Sequence, residues 1–194
     1  MYEQDDYSYQ TRSQKRAEKE SEKGSRHPAL SWILCIAIAV AAAFCIRGFI
    51  AEPIRVEGRS MNPSLYSDQT LLVEKVSRYF ELPERGNIVI VHYPDSTNNY
   101  VKRVIGLPGE RIRIENSTVY INDAALLETY TSKEEYADME EITVPEDSIF
   151  VMGDNRAHSQ DSRFVGPIPH DSIVGTAVSI IWPVDQAREI KPGE

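Results

Sequence analysis

An uninterrupted apolar segment near the N-terminus places the strongest constraint on what this chain can fold into. Residues 29–46 contain only one clearly polar side chain, that of Ser31. As a helix, 18 residues are about 27 Å long, close to the thickness of the hydrocarbon core of a bilayer. Trp32 near the start and Phe49 just after the end suit the membrane–water interfaces. The segment therefore predicts a single transmembrane helix.

A cleaved signal peptide is the competing interpretation of this segment, because residues 41–43 are three alanines of the kind found at cleavage sites. Signal peptides have apolar cores of about 7–15 residues, and this core is longer. The polar, charged stretch ahead of it is also long for a signal peptide. We therefore expect a polar tail at 1–28, an uncleaved anchor at 29–46 and a separate domain at 47–194.

The basic residues on either side of the anchor predict its orientation. Lysine and arginine mark the cytoplasmic side of a span, and acidic residues contribute little to this rule. Lys15, Arg16, Lys19, Lys23 and Arg26 are among the basic residues ahead of the span, and Arg47, Arg55 and Arg59 follow soon after it. The N-terminus is thus expected in the cytoplasm, with the domain outside it.

Composition excludes several classes of function. The net charge of −9 argues against nucleic acid as the main partner, because phosphate binding needs a basic face. Cys35 and Cys45 both lie in the apolar segment and provide neither a disulfide framework nor a zinc pattern. The four histidines are scattered, without a His-x-x-x-His pair. No metal or cofactor is therefore expected.

Beyond Arg47 the sequence takes on the pattern of β-structure. Runs rich in β-branched residues are bounded by Gly/Pro turn signals, and no helical period persists. The predicted strands are 70–76, 87–92, 111–119, 148–152 and 173–181. Residues 124–146 are acidic, contain tyrosines, and are interpreted as a peripheral loop or hairpin. The pattern predicts a mainly β fold with antiparallel strands, as in a sandwich or barrel.

Three motifs within this domain contain residue types that can take part in catalysis. The first, at 58–65, reads Gly-Arg-Ser-Met-Asn-Pro-Ser-Leu, and the second, at 100–109, reads Tyr-Val-Lys-Arg-Val-Ile-Gly-Leu-Pro-Gly. The third begins Gly-Asp-Asn-Arg at 153 and continues through Asp-Ser-Arg at 161–163 to a glycine at 166. Each has a structural interpretation when it stands alone: a turn hydroxyl, an exposed strand lysine, or a tight turn with a surface ion pair.

In this order and at these separations, the three motifs resemble the conserved segments of type I signal peptidases, also called leader peptidases. The resemblance covers about residues 29–183, and the compact domain is similar to the Gram-positive members. It implies one transmembrane helix followed by an antiparallel β-sheet domain of the type shared with LexA-like proteases. It also implies a plasma-membrane serine endopeptidase that removes signal peptides from secreted preproteins after Ala-x-Ala-like sequences. Neither a cofactor nor an obligatory protein partner is implied, and membrane lipid is the expected surrounding of the anchor.

Carried over by position, the resemblance makes Ser60 the nucleophile and Lys102 the general base. Ser159 would orient the lysine amine. The backbone N–H of Ser60 would be one donor of the oxyanion hole. Gly58 lies where some members carry a serine that donates a second hydrogen bond, so the second donor is left open.

The resemblance also assigns supporting and substrate-binding residues. Asp161 and Arg163 would form an ion pair, and Asp154 and Arg156 would brace the loop behind the site. Shallow apolar pockets for small substrate side chains at positions −1 and −3 would be shaped by Val56, Met61, Tyr100 and Val101.

A lysine base places a physical demand on its surroundings. Lysine titrates near pH 10.4 in water and is then almost wholly protonated at neutral pH. Burial in apolar surroundings lowers the pKa, because it disfavours the charged form. The neighbours Val101, Val104 and Ile105 are compatible with such a site, and strand alternation places Arg103 on the opposite face.

Two alternatives remain at the level of sequence. A LexA-type self-cleaving protease also uses serine and lysine, but such proteins carry an N-terminal DNA-binding domain in place of a membrane span. A catalytically silent, membrane-tethered β module is the other alternative. Against it stands the retention of both Ser60 and Lys102 with their flanking residues.

Overall fold

The computed structural model describes residues 28–94, 96 and 98–194. Of the predicted tail at 1–28, all but the last residue lies outside the described residues. The chain divides into two compact units, with the boundary between Cys45 and Ile46.

The first unit contributes helix α1, Pro28–Cys45, and a π-helical turn follows at Ile46–Ile50. Ser31–Ile50 is long and apolar enough to cross a membrane, with 20 residues. Its large apolar side chains are exposed rather than packed against protein. This is the arrangement that a lipid-facing helix requires, since such a helix needs apolar residues all round. The span is longer at its end than the predicted 29–46.

The second unit is mainly β, as predicted, and its larger sheet is antiparallel. The strands of this sheet are β1 Ala51–Arg55, β2 Thr70–Glu74, β3 Ile88–Val91, β4 Tyr100–Gly106, β9 Ser148–Met152, β10 Ile168–Pro169, β11 Ile173–Trp182 and β12 Arg188–Glu189. They lie in the order β1-β2-β11-β3-β4-β9-β10, and β12 pairs with β11. A short helix, α2, Ser162–Val165, lies between β9 and β10.

A smaller antiparallel sheet is formed by β5 Arg111–Glu115, β6 Thr118–Ile121, β7 Ala124–Ala125 and β8 Met139–Thr143. Its strand order is β7-β6-β5-β8. The single strand predicted at 111–119 is therefore two strands. Asn116 and Ser117 both have positive φ, 49° and 59°, so they form a two-residue hairpin turn of the kind that matches strand twist. Residues 124–146 are more ordered than a loop, because they supply β7 and β8.

Burial on both faces explains why the central strands read as continuous apolar runs. In β3, Ile88 and Ile90 belong to one core cluster, and Val89 and Val91 belong to another. A third cluster joins Phe150 and Met152 of β9 to the apolar side chains of β5 and β6. The result is a central strand pair, β3 and β4, that is covered on both sides.

Candidate active site

The first motif lies in the connection between β1 and β2, where buried side chains fix its conformation. Met61 and Leu65 are buried in the core, and the Leu65 N–H donates to the Met61 carbonyl at 2.9 Å. The Asn62 N–H donates to the Arg59 carbonyl at 3.2 Å. These contacts hold Ser60 in a turn whose next residue is anchored in the core.

The second motif forms β4 and brings Lys102 to this turn. Lys102 lies opposite Val89 of β3, and its side chain is nearly inaccessible, with 3% of the residue surface exposed. Its Nζ lies 2.9 Å from Oγ of Ser60. The two residues predicted as nucleophile and base are thus in hydrogen-bonding contact, 42 positions apart in the sequence.

Burial also changes the protonation of this lysine. It is the largest cause that lowers the pKa of Lys102 from 10.5 to about 8, and the charge of Arg163 adds a smaller lowering effect. The charges of Asp161 and Asp154 act in the opposite direction, with smaller effects that raise the pKa. Among the described residues, both carboxylates form their salt bridges with arginines and not with Lys102. With a pKa near 8, about one amine in ten is neutral at pH 7, and a neutral amine can accept a proton.

The third motif supplies the ion pair between Asp161 and Arg163. Oδ1 and Oδ2 of Asp161 each lie 2.8 Å from a guanidinium nitrogen of Arg163. Asp161 also precedes α2 as its N-cap and accepts from the Gly153 N–H at 3.0 Å. The carboxylate is therefore fixed from three sides, and it closes the loop between β9 and α2.

Asp154 and Arg156 are both buried, but they do not pair with each other. Asp154 accepts two hydrogen bonds of 2.8 Å from Arg103, and Arg156 pairs with Glu128. Sequence reasoning missed Arg103 and Glu128 as partners. Strand alternation placed Arg103 on the face opposite Lys102, yet gave no indication of what covers that face.

Ser159 is buried in this loop, but the hydrogen bond predicted from it to Lys102 is not formed. Its Oγ has no hydrogen-bond partner within the described part of the chain. The nearby Gly153 is packed so closely that a side chain there would overlap Ser159 and the Ser60 carbonyl. The glycine of the motif is thus required for the close approach of the loop to Ser60.

Asn155 links the third motif directly to the first. Its backbone N–H donates to the Ser60 carbonyl at 3.0 Å, and its side-chain Nδ2 donates to the Arg59 carbonyl at 3.2 Å. Sequence reasoning quoted the Gly-Asp-Asn-Arg motif and assigned roles only to its charged members. Asn155, between these charged residues, was the signal in the sequence for this contact, because an asparagine in a tight loop often forms hydrogen bonds with backbone groups.

A groove of about 510 Å³ opens beside the two residues in contact. It is lined by Ser60 and Lys102, residues 52–55 of β1, Glu57, two asparagines before β4, and the first two residues of β4, Tyr100 and Val101. Of the four predicted pocket residues, Tyr100 and Val101 line the groove. Val56 and Met61 are only 2% exposed and belong to the core cluster behind it.

Gly58 adopts a backbone conformation that favours glycine. Its φ is +82°, and a Cβ at this position would meet nothing within 4 Å. This geometry supports a glycine retained for its backbone conformation. The Ser60 N–H forms no hydrogen bond within residues 28–94, 96 and 98–194, which leaves it available as a donor.

Comparisons with known proteins indicate the family to which the chain belongs. Residues 29–182 match the family described as signal peptidase, peptidase S26. Signal peptidase I T of Bacillus subtilis (strain 168) is 40% identical over 173 residues, covering 84% of this chain and 90% of that protein. Signal peptidase I of Bacillus amyloliquefaciens is 40% identical over 192 residues, covering 93% and 100%. A crystal structure of a signal peptidase I from Enterococcus faecalis V583 is 33% identical, with a TM-score of 0.43, and covers 50% of this chain and 97% of that one. Because the family match spans most of the chain and two relatives cover it at this identity, the chain belongs to the signal peptidase family, peptidase S26.

Proposed function

We propose that this protein is a membrane-anchored type I signal peptidase that removes signal peptides from secreted preproteins with a Ser60–Lys102 dyad. The observation that carries the proposal is the 2.9 Å contact between Lys102 Nζ and Ser60 Oγ. A serine hydroxyl is a weak nucleophile until a neighbouring base takes its proton. Burial lowers the pKa of this lysine to about 8, so the base is partly neutral at working pH.

The reaction follows from the contact. Ser60 Oγ attacks the carbonyl carbon of the scissile peptide bond, and its proton passes to Nζ of neutral Lys102. The resulting ammonium donates that proton to the leaving amine as the C–N bond breaks, which leaves an acyl ester on Ser60. Water then attacks the ester, gives a proton to Lys102, and releases the carboxylic acid as Oγ regains its proton. Lys102 acts as base and acid in alternate steps.

The surrounding ion pairs support this chemistry without joining it. Arg163 and Arg103 neutralise Asp161 and Asp154, so neither carboxylate binds the lysine and holds it protonated. Ser159 lies in the same loop, and we propose that its unpartnered hydroxyl turns to the lysine amine when substrate binds. The Ser60 N–H would donate to the oxyanion.

The residues that line the groove support the binding of an extended substrate with small side chains. β1 lies at one end of the strand order, so its outer edge pairs with no strand in the described part of the chain, and residues of β1 and of β4 line the groove. An extended peptide can add to such an edge through main-chain hydrogen bonds. Tyr100 and Val101 limit the room for side chains at −1 and −3, with Val56 and Met61 buried behind them. This supports cleavage after Ala-x-Ala.

We propose that the apolar helix anchors the domain at the membrane surface, with the N-terminus in the cytoplasm and the domain outside. The 20-residue span Ser31–Ile50 has the required length. The excess of basic residues before it favours this orientation. Anchoring would hold the groove where signal peptides present their cleavage junctions.

The decisive experiment uses the full chain, purified in detergent, with a preprotein whose signal peptide ends in Ala-x-Ala. Cleavage should release a mature protein whose new N-terminus, determined by mass spectrometry, follows the second alanine. A matched preprotein with phenylalanine at −1 should resist cleavage. If neither preprotein is cut, the protein behaves as a silent module; if both are cut equally, the proposed specificity is wrong.

Orientation is tested separately by adding protease to intact spheroplasts. The domain, followed by antibodies to segments around Tyr120 and Tyr130, should be digested from outside, and the N-terminal tail should be protected. Digestion of the tail with protection of the domain would reverse the proposed topology.

A further inference from the structure

Two tyrosine rings stack at the side of the groove. Tyr93, just after β3, and Tyr100, at the start of β4, have ring centroids 4.1 Å apart and planes inclined by 13°. Tyr100 lines the groove, whereas Tyr93 is 7% exposed and belongs to the second core cluster. The buried ring of Tyr93 therefore supports the wall of the groove. A stacked aromatic pair of this kind adds to the stability that the burial of the two rings provides.

The hydroxyl of Tyr93 points to a different part of the site. It donates to the main-chain carbonyl of Gln160 at 2.8 Å, 67 positions further along the chain. Gln160 lies between Ser159, whose hydroxyl is buried and unpartnered within the described residues, and Asp161, which pairs with Arg163. One side chain thus joins the groove wall to the loop of the third motif.

A core position does not by itself require this hydroxyl. Phenylalanine would fill the same apolar space, and a buried hydroxyl costs free energy unless it is bonded. Burial is the largest cause raising the pKa of Tyr93, so the hydroxyl keeps its proton and remains a donor. Its acceptor is the carbonyl of Gln160, between Ser159, which is proposed above to turn to the lysine, and Asp161, whose charge acts on the lysine.

We propose that Tyr93 is a positioning residue of the peptidase: its hydroxyl holds the Ser159–Asp161 segment against the dyad, and its ring holds Tyr100 in the groove wall. The inference rests on the proposed function and deepens it. Tyr93 is not among the residues that line the groove, and its hydroxyl bonds to Gln160 rather than to Ser60, so it acts through these two neighbours. The hydroxyl and the ring should then affect different steps, turnover in one case and substrate binding in the other.

The groups that act on Lys102 indicate how the hydroxyl would be detected. Ser60 contacts its amine, and the charges of Asp161, Asp154 and Arg163 act on it electrostatically. One of these, Asp161, belongs to the Ser159–Asp161 segment that Tyr93 holds, and Arg163 forms a salt bridge with it. A loosened segment admits water to the lysine, and because burial is the largest cause lowering the pKa of Lys102, the apparent pKa of the reaction should rise.

The experiment compares the full-length variants Tyr93→Phe and Tyr120→Phe in detergent, with the Ala-x-Ala preprotein as substrate. Each loses one hydroxyl, but Tyr120 lies in β6 of the smaller sheet, where its ring packs against Arg113. Tyr93→Phe should lower kcat about 5- to 10-fold, the effect of one lost buried hydrogen bond. Its KM should stay unchanged and its pH profile should shift to higher pH, while Tyr120→Phe should match the wild type in all three.

A third variant, Tyr100→Leu, tests the ring. Loss of the stack should raise KM about 2- to 10-fold, with a smaller effect on kcat than Tyr93→Phe has. Equal kcat and pH profiles for Tyr93→Phe and Tyr120→Phe, or a change in KM alone for Tyr93→Phe, would overturn the inference. Failure of the wild-type protein to cleave would instead refute the proposed function, and the inference would fall with it.

Discussion

Lys102 and Arg103 are neighbours on β4 that point to opposite faces of the sheet, and both are buried. The exposed fraction is 3% for the lysine and 0% for the arginine. The arginine is surrounded by acceptors: Asp154 takes two hydrogen bonds, and the Gly86 and Glu194 carbonyls take one each at 2.8 and 2.7 Å. The ring of Tyr130 covers its guanidinium at 4.0 Å. The side-chain amine of the lysine has one hydrogen-bond partner among the described residues, the hydroxyl of Ser60.

The difference shows how partners set the role of a buried cation: the guanidinium is paired with a carboxylate, whereas the amine has a hydroxyl as its partner. Arg103 receives a carboxylate in bidentate geometry, the arrangement that stabilises a buried guanidinium. Lys102 receives only a hydroxyl, so burial lowers its pKa to about 8. One face of the strand thus holds a permanent charge that organises a loop, and the other holds an amine that can exchange a proton.

The lysine should lower stability in a defined pH range. Its pKa in the folded state, about 8, is below the ordinary value of 10.5. Below pH 8 the folded protein holds a buried ammonium, and the shift corresponds to about 3 kcal/mol of lost stability. Between pH 8 and 10.5 the unfolded chain binds more protons than the folded one, so this cost declines as pH rises.

The largest expected effect is on catalysis by the lysine face. Ser60→Ala and Lys102→Met should each lower kcat by at least about 10⁴-fold, and the double variant should be no worse, because residues that act as one unit are non-additive. Single-turnover assays of the purified variants measure this. Residual activity near the wild-type level in either single variant would exclude the dyad.

The charge on the lysine gives the next largest effect. The proposed mechanism requires neutral Lys102, so kcat/KM should rise about tenfold per pH unit below an apparent pKa near 8 and level off above it. Lys102→Arg should be inactive at every pH, because a guanidinium stays protonated. A profile that is flat from pH 6 to 10 would contradict a lysine base.

Stability should respond with opposite signs to the same substitution on the two faces. Arg103→Met leaves Asp154 buried without its partner and should lower the free energy of unfolding by about 3–5 kcal/mol. Lys102→Met removes the buried ammonium and should raise stability at pH 7 by up to about 3 kcal/mol, with the gain disappearing above pH 10.5. Denaturant unfolding of both variants at pH 7 and pH 10.5 provides the measurement. Destabilisation of equal size by both would show that the lysine is paired like the arginine.

Sequence reasoning predicted one face of β4 far better than the other. The motifs carrying Ser60 and Lys102 are specific enough to indicate the family, and the apolar neighbours of the lysine are visible in the sequence. The partners of Arg103 are not, because Asp154 lies 51 positions away and the ring above the guanidinium belongs to Tyr130, in a segment interpreted as peripheral. The alternation of side chains along a strand predicts the face to which Arg103 points. The segment that covers this face cannot be predicted in the same way, because it depends on how the chain from β5 to β8 folds against the larger sheet.

The same limit applies to the loops. Strand runs such as 148–152 were predicted with their observed bounds, since periodicity is local. The hydrogen bonds of Asn155 and Tyr93 to distant carbonyls follow from loop packing, which leaves no periodic signal. The Asn116–Ser117 turn was missed because it lacks the Asn-Gly pair that marks such hairpins.

The smallest expected effect is at Gly58, which tests whether the turn ahead of Ser60 depends on the backbone conformation of this glycine alone. With a φ of +82° and open space where a Cβ would lie, Gly58→Ala should cost about 1–2 kcal/mol of strain. Gly58→Asn should cost less, because asparagine tolerates the left-handed region better. Both should retain kcat within about tenfold of wild type, a smaller loss than the roughly 10²- to 10³-fold fall in kcat that follows loss of an oxyanion donor.

Gly58→Ser should match Gly58→Ala unless its hydroxyl reaches the oxyanion, in which case kcat would exceed that of the alanine variant. Measuring kcat and Tm for the three variants on one preprotein separates strain from donation. A fall of about 10²-fold in all three, with unchanged Tm, would mean that the main chain around Gly58 itself forms part of the oxyanion hole.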